Sequence, residues 1–210
     1  MSLGRQTTMF GLPPEPDDAT LDQFFTPAPI AQTFVNWSRW WESPTIIEPS
    51  AGAGALLEPI MEASWSERHN IVAVELDKDF AEVLKRTFVL DENVSVIHGD
   101  YLETDLSETK ADLWLGNPPY SNRRDERFIA KALNDAPRVC ALLQTRFIHS
   151  KQRWETIWQN ARLTRVGHFA LRAFPGAIYD YSMFEFRRGK TVSGCAFPVE
   201  TSWHYVELDE

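Results

Sequence analysis

The chain of 210 residues has only two cysteines and no apolar run near the roughly 18 residues that a membrane-spanning helix needs. Cys140 lies in an apolar stretch that predicts a buried strand, and Cys195 is distant in sequence, so we expect two free thiols. Neither cysteine has the neighbouring ligands of a metal site, so no metal is expected. These absences favour a cytoplasmic protein that is stabilised by its apolar core.

The first 22 residues also lack the apolar segment of a signal peptide. They are polar and contain several prolines, which predicts a flexible tail. The remaining residues, 23–210, show no internal repeat and no low-complexity linker, so they are expected to form one domain.

Positive charge is scarce overall, since the net charge is −9, but it is unevenly distributed. Residues 1–115 hold 7 basic and 20 acidic side chains, whereas residues 116–190 hold 14 basic and 6 acidic ones. This asymmetry predicts a basic surface on the second segment, which would suit a nucleic acid backbone. For any single residue, an ordinary solvated helix face is an equally good interpretation.

Apolar, β-branched stretches alternate with amphipathic ones along most of the chain. Strands are predicted at 45–48, 71–75, 94–97, 111–115 and 139–143, and helices at 54–66, near 125–135 and near 151–161. A further helix is expected to be capped by Asp77, with Phe80, Val83 and Leu84 facing inward. A first helix is expected to be capped by Thr26 with Pro27 at its first position, to bury Ile30, Phe34, Trp37 and Trp41, and to stop at Pro44.

This alternation predicts a Rossmann-like α/β fold with a mostly parallel sheet covered by helices on both faces. From Leu163 to Val206 the alternation stops and aromatic residues recur every few positions, which predicts further strands that include an antiparallel pair.

Each of the first four predicted strands ends in residues that can bind a ligand. In an open parallel sheet such ends meet beside the ligand crevice. The first is followed by the loop Glu48-Pro49-Ser50-Ala51-Gly52-Ala53-Gly54, in which the glycines allow close backbone approach and Glu48 favours a cationic ligand over a pyrophosphate. Leu57 stands where a dinucleotide-binding fingerprint would have its third glycine.

The next two strand ends supply carboxylates. Glu75, with Leu76 beside it, is suitably placed to bind a ribose diol, and Asp100 could accept from an adenine amino group while Tyr101 flanks the ring. An acid for a cation, one for a ribose and one for an adenine amine together describe S-adenosylmethionine as cofactor.

The fourth strand ends at Asn117-Pro118-Pro119-Tyr120. Two prolines remove two backbone donors, so the carbonyls before them have no helix or ladder to join. The Asn117 amide oxygen, these carbonyls and the Tyr120 ring therefore indicate a site for a planar group that carries an amine.

These motifs, in this order, resemble those of class I S-adenosylmethionine-dependent methyltransferases of the adenine-N6 amino-methyltransferase group. The resemblance covers about residues 24–120 and implies a seven-stranded sheet with an antiparallel C-terminal strand. It also implies that Phe24-Phe25-Thr26-Pro27 contacts the methionine part of the cofactor. The segment 174–184 resembles the base-contacting region of this group only loosely.

The chemistry of an adenine amine explains the motif. Its lone pair is delocalised into the ring, so we expect Asn117 and the Pro118 carbonyl to accept the two amine hydrogens as the nitrogen becomes tetrahedral and positive. Tyr120, beside Pro119, would stack on the base. Arg123, Arg124 and Arg127 are candidates for phosphate contacts.

The preferred substrate on these grounds is DNA. RNA adenine or guanine comes second, protein glutamine third, and a non-catalytic binding module last. The stretch between Asn117 and the fifth strand has room only for a helix, so no separate target-recognition domain is expected. A partner subunit could supply recognition, or the substrate could differ from duplex DNA.

Overall fold

The computed structural model describes residues 26–63, 68–148, 153–169, 180–189 and 200–204. Phe25, the N-terminal tail, Cys195 and most of the loosely matching segment 174–184 lie outside these ranges. The strands are β1 (Thr45–Glu48), β2 (Asn70–Glu75), β3 (Val94–His98), β4 (Leu113–Gly116), β5 (Arg138–Gln144), β6 (Ala161–Phe169), β7 (Tyr181–Arg188) and β8 (Glu200–His204).

All eight strands join one sheet in the order β3-β2-β1-β4-β5-β7-β6-β8. The first five pair in parallel, and β7 runs antiparallel to both β5 and β6. The predicted mostly parallel sheet with an antiparallel strand near its C-terminus is therefore confirmed. An additional strand, β8, pairs in parallel with β6 and extends the edge beyond the seven expected strands.

The helices are α1 (Ala28–Ser38), α2 (Leu57–Met61), α3 (Lys78–Thr87) and α4 (Arg124–Asp135), with a π-helical turn at Trp154–Trp158. Two helices are shorter than predicted, the one expected at 54–66 and the one expected at 151–161. In the first case the positive φ angles of Gly52 and Gly54 keep the loop out of the helix. Pro59 then falls in the first turn of α2, where a missing N–H is tolerated.

The first helix also begins and ends differently from the prediction. Pro27, with extended backbone angles, occupies the N-cap position predicted for Thr26. At the other end Arg39 adopts a left-handed conformation (φ 53°), which breaks the helical periodicity. As a result Trp40 is buried in place of Trp41, which is 43% exposed.

Apolar side chains cover both faces of the sheet. Along β4, Leu113 and Leu115 pack under α1 and α2, whereas Trp114 points to the opposite face with α4. The same alternation in β5 buries Cys140 and Leu142 on one face and its other apolar residues on the second. No helix in the described ranges is long and apolar enough to cross a membrane.

A buried ionic cluster attaches the end of α1 to the sheet. Glu185 of β7, 3% exposed at its side chain, lies 3.4 Å from Arg165 and 3.8 Å from Arg138. These two arginines also donate to the carbonyls of Trp37 and Arg39, which lie at the end of α1 and just after it. Burial alone would raise the pKa of Glu185. The hydrogen bond from Thr164 and the surrounding arginines lower this pKa by a larger amount, so the net shift is downward.

Candidate functional site

The strand order reverses between β1 and β4, and a cavity of about 220 Å³ opens at the carboxyl ends of these strands. This is where a ligand crevice is expected in an open α/β sheet. Most of the sequence-predicted site residues line the cavity: Thr26, Glu48, Pro49, Ser50, Gly52, Glu75, Leu76, Asp100, Tyr101, Asn117, Pro118, Pro119, Tyr120 and Arg124. Pro27, Gly54, Arg123 and Arg127 are not among its walls.

The loop after β1 depends on its two glycines. Gly52 has φ 51° and Gly54 has φ 87°, both in the left-handed region that side chains disfavour. The Gly52 amide donates to Glu75, which ties the loop to the end of β2. Gly54 therefore shapes the turn without reaching the cavity wall.

Close approach also explains Gly116 at the end of β4. A Cβ atom there would lie 2.7 Å from the Pro49 ring, too close without a backbone shift. The two strand ends consequently meet, and the Ser50 hydroxyl donates to the Asn117 carbonyl at 3.1 Å.

Glu48 is the most unusual group in the cavity. Its side chain is buried, and neither carboxylate oxygen has a hydrogen-bond partner within the described residues. Burial, reinforced by the nearby Glu75 charge and only partly opposed by the Ser50 amide, raises the pKa of Glu48 to about 8. A buried carboxylate without a partner is costly, so this position favours a ligand that brings a positive charge.

Glu75 is buried as well, but its oxygens are engaged. They accept from the backbone amides of Gly52 and, at 2.7 Å, Asp77. Burial raises its pKa in spite of these hydrogen bonds. Leu76 follows it, lines the cavity and is 50% exposed, as expected for an apolar wall that a flat ring could cover.

The end of β3 differs from the prediction in one respect. Asp100 lines the cavity, but the Tyr101 ring is 1% exposed and packs against Trp114 and Phe128. Its hydroxyl donates to Asp135 at 2.6 Å, which turns the ring into the core. Tyr101 thus supports the cavity from beneath, and its contact with a bound ring stays a prediction.

The side-chain amide of Asn117 is oriented by two neighbours. Its Nδ2 donates to Thr26 Oγ1 at 3.0 Å, and the Tyr120 hydroxyl donates to its Oδ1. This hydroxyl also lies 3.1 Å from the Leu142 carbonyl, so one proton serves two acceptors. Burial raises the pKa of Tyr120 well above its ordinary value, which keeps the phenol a donor. An amide oxygen can accept two hydrogen bonds, so Asn117 Oδ1 is chemically suited to accept from a ligand as well as from Tyr120.

The two prolines leave the Pro118 carbonyl without a hydrogen bond from the described residues, as the sequence predicted. The Tyr120 ring packs against Tyr181, with ring centroids 5.2 Å apart. Thr26 does not cap α1. Its hydroxyl instead accepts a hydrogen bond from the Asn117 side chain, which makes Thr26 part of the site.

The basic segment forms less open surface than its composition predicted. Arg123 pairs with Glu126 at 2.7 Å, and Arg124 pairs with Asp100 inside the cavity. Other basic residues of this segment also meet carboxylates: Lys131, Arg138, Arg153, Arg165 and Arg187. Of the three predicted phosphate contacts, only Arg127 is exposed and forms no salt bridge in the described part of the chain.

Some residues of the cavity lining were not predicted as site residues from the sequence. Phe128 lies one helical turn after Arg124 on α4 and contributes an aromatic wall. Small or apolar residues of the glycine loop and two further strand-end positions complete the lining: Ala51, Ala53, Ala55, Leu56, Gly99 and Ser121. Phe128 reads as an ordinary core position of an amphipathic helix, which is why the pattern alone did not assign it.

The residues present fit S-adenosylmethionine. The unpartnered Glu48 carboxylate suits its positive charge, Glu75 and Leu76 suit a ribose and the face of a base, and Asp100 suits an adenine amine. Thr26, which the family resemblance places beside the methionine part, contacts Asn117 in this cavity.

Comparison with known proteins agrees with this geometry. Residues 20–151 match the family model for ribosomal RNA adenine dimethylase. The chain is 36% identical over 104 residues to the type II methyltransferase M.AccI of Acinetobacter calcoaceticus, which covers 49% of this chain and 19% of the relative. It is 37% identical over 73 residues to ribosomal RNA small subunit methyltransferase A of Alkaliphilus metalliredigens, which covers 35% of this chain and 24% of that protein.

The chain thus spans less than a quarter of the length of either relative. Among solved structures, a class I S-adenosylmethionine-dependent methyltransferase from Listeria monocytogenes superposes with a TM-score of 0.69. That match covers 90% of this chain and 68% of the other at 13% identity, so it supports the fold alone.

Proposed function

Because the chain belongs to the ribosomal RNA adenine dimethylase family, we propose that it transfers a methyl group from S-adenosylmethionine to the exocyclic amine of an adenine in nucleic acid. The observation that carries this proposal is the pairing of two acceptors at the end of β4. The Asn117 amide oxygen and the Pro118 carbonyl, which has no hydrogen bond from the described residues, line the same cavity as Glu48, Glu75 and Asp100.

S-Adenosylmethionine would supply a methyl group on a positively charged sulfur. Glu48 would neutralise positive charge on the cofactor, Glu75 would bind the ribose and Asp100 the adenine amine. Pro49, Ser50 and Gly52 would provide the backbone wall that approaches the ligand.

Asn117 Oδ1 and the Pro118 carbonyl would each accept one hydrogen of the target amine. Their partial negative charges favour the nitrogen as it becomes positive, and no reorganisation is needed because Thr26 and Tyr120 already orient the amide. Tyr120, with Pro119 beside it, would present its ring to the base and hold the nitrogen in line with the methyl group.

We propose DNA as the preferred substrate. Three type II methyltransferases, M.AccI, M.HincII and M.HindII, match this chain over 101–104 residues at 30–36% identity. In duplex DNA the target base would have to leave the stack to reach a cavity at a sheet edge. Only a short turn and α4 separate Asn117 from β5, so recognition of the target sequence would come from elsewhere, for example from a partner subunit.

Ribosomal RNA is the second candidate, and the family match itself favours it. In that case the same acceptors would bind the adenine amine, and two successive transfers would give a dimethylated product. The target base is the same, so these candidates differ only in the nucleic acid that carries it.

The test is methyl transfer from labelled cofactor to duplex DNA, single-stranded DNA, total RNA and protein, followed by nucleoside analysis. Label in N6-methyldeoxyadenosine supports the first candidate, and label in N6-methyl- or N6,N6-dimethyladenosine supports the second. Label on another base, on protein or nowhere contradicts the proposal. Asn117→Ala protein is the matched control for contaminating enzymes.

A further inference from the structure

Arg124 is the one basic residue of the described chain whose side chain lines the cavity. Its Nη2 donates to both carboxylate oxygens of Asp100, at 2.8 Å each. Its guanidinium carbon also lies 5.5 Å from the centre of the Phe128 ring, another wall of the cavity. Both partners of the ion pair are mostly buried, with side-chain exposures of 24% and 19%.

The backbone turns sharply to place Arg124 there. Asn122 (φ 49°) and Arg123 (φ 59°) both adopt left-handed conformations, which are unfavourable for residues with side chains. This turn directs Arg124, the first residue of α4, towards the end of β3. There it meets Asp100, which lies 24 positions earlier in the sequence. The segment that follows the Asn-Pro-Pro-Tyr motif is thereby tied to the cofactor side of the cavity.

Hydrogen-bond capacity shows what this contact leaves open. A carboxylate offers about four acceptor positions. Within the described ranges, Asp100 Oδ1 accepts from Arg124 and from the Leu102 amide at 2.9 Å, whereas Oδ2 accepts from Arg124 alone. One position on Oδ2 therefore remains, and the ion pair holds it in a fixed direction. Burial alone would raise the pKa of Asp100. The hydrogen bonds from Arg124 and the Leu102 amide lower this pKa by a larger amount, so the carboxylate stays ionised and remains an acceptor.

We propose that Arg124 is a positioning residue that holds Asp100 for recognition of the adenine amine of the cofactor, and so sets the selectivity for an adenine base. The inference rests on the proposed cofactor, but not on the nature of the methylated substrate. A purine with a carbonyl in place of the amine would set an acceptor against the fixed Asp100 acceptor. A site built to bind a donor rejects such an analogue strongly.

The experiment measures binding of S-adenosylhomocysteine and of its deaminated analogue, S-inosylhomocysteine, by calorimetry. We expect the wild-type protein to prefer the adenine ligand by a factor on the order of 100. Arg124→Ala is expected to reduce that preference by roughly tenfold, chiefly through weaker binding of the adenine ligand. Arg124→Lys, which keeps the charge but loses the planar contact, should lie between the two.

Arg86→Ala provides the matched control, because Arg86 is 80% exposed at its side chain on α3 and away from the cavity. A folded Arg124→Ala protein with the wild-type preference would overturn the proposal. If the alanine variant does not fold, Arg124→Lys decides, and an unchanged preference in that variant overturns it equally. If the wild-type protein binds neither ligand, the cofactor assignment fails as well, whereas failure to methylate nucleic acid leaves this inference unaffected.

Discussion

The cofactor cavity and the basic segment 116–190 use charge in opposite ways. Among the described residues, Glu48 has no hydrogen-bond partner in the cavity and Asp100 retains an acceptor position. In the basic segment, most of the described cations already meet a carboxylate or a carbonyl of the protein. The position of a charged group relative to the sheet edge is therefore more informative about ligands than the number of charges in a segment.

The largest expected effect tests the neutral acceptors that follow β4, the Asn117 amide oxygen and the Pro118 carbonyl. Asn117→Ala should lower kcat for methyl transfer by about 10²–10³-fold, because one preoriented acceptor for the target amine is lost. Binding of S-adenosylhomocysteine, measured by calorimetry, should change far less. Asn134→Ala on the exposed face of α4 is the control, and a variant at position 117 with most of its activity would contradict the hydrogen-bond account.

The second prediction tests whether the arginines around Glu185 are structural. Glu185→Ala should destabilise the protein by about 3 kcal/mol, since it leaves Arg138 and Arg165 buried without their countercharge. Thermal or denaturant unfolding measures this difference. Arg187→Ala removes a partner that is 45% exposed and should cost less than about 1 kcal/mol. Equal costs for the two variants would show that burial of this cluster does not matter.

The third prediction concerns pH and the unpartnered carboxylate. The pKa of Glu48 is raised from 4.5 to about 8, so the folded state binds a proton in this range that the unfolded state has released. Stability should therefore fall as pH rises from about 4.5 to 8, by at most about 1.4 kcal/mol per pH unit.

Glu48→Gln should remove this contribution, so its melting temperature relative to wild type should increase between pH 5 and 8. Cofactor affinity should rise over the same range in the wild-type protein as Glu48 ionises, and change less in the variant. A constant difference in melting temperature across the range would contradict the burial of an unpaired Glu48.

The smallest effect concerns Arg127, an exposed arginine of α4. Arg127→Ala should weaken binding of a nucleic acid oligonucleotide a few-fold and reduce the slope of log affinity against log salt by about one. Fluorescence anisotropy at several salt concentrations measures both quantities, with Arg86→Ala as the control. An unchanged salt slope would remove Arg127 from the substrate surface.

The sequence predicted the parts of the site that depend on local backbone chemistry. Gly52 and Gly54 adopt the positive φ angles that their loop requires. The Pro118 carbonyl, which precedes a second proline, has no hydrogen bond from the described residues, as predicted. The strand ends could be assigned to one cavity because parallel strands place their carboxyl ends at the same edge.

The structure departs from the sequence pattern where distant residues decide the outcome. Tyr101 is turned into the core by Asp135, and Arg124 is drawn into the cavity by Asp100, and neither pairing has a local signal. The basic surface was overestimated for the same reason, since Glu185 meets arginines from several strands. Trp40 is buried where the helical pattern predicted Trp41, because the left-handed conformation of Arg39 ends the helix.

A crystal structure with S-adenosylhomocysteine bound tests the central claim most directly, that one cavity joins a cofactor site to the Asn-Pro-Pro-Tyr acceptors. The account predicts the ribose at Glu75, the adenine amine at Asp100 and the sulfur facing Asn117 and Pro118. A ligand bound elsewhere, or one whose sulfur faces away from Asn117, would contradict it.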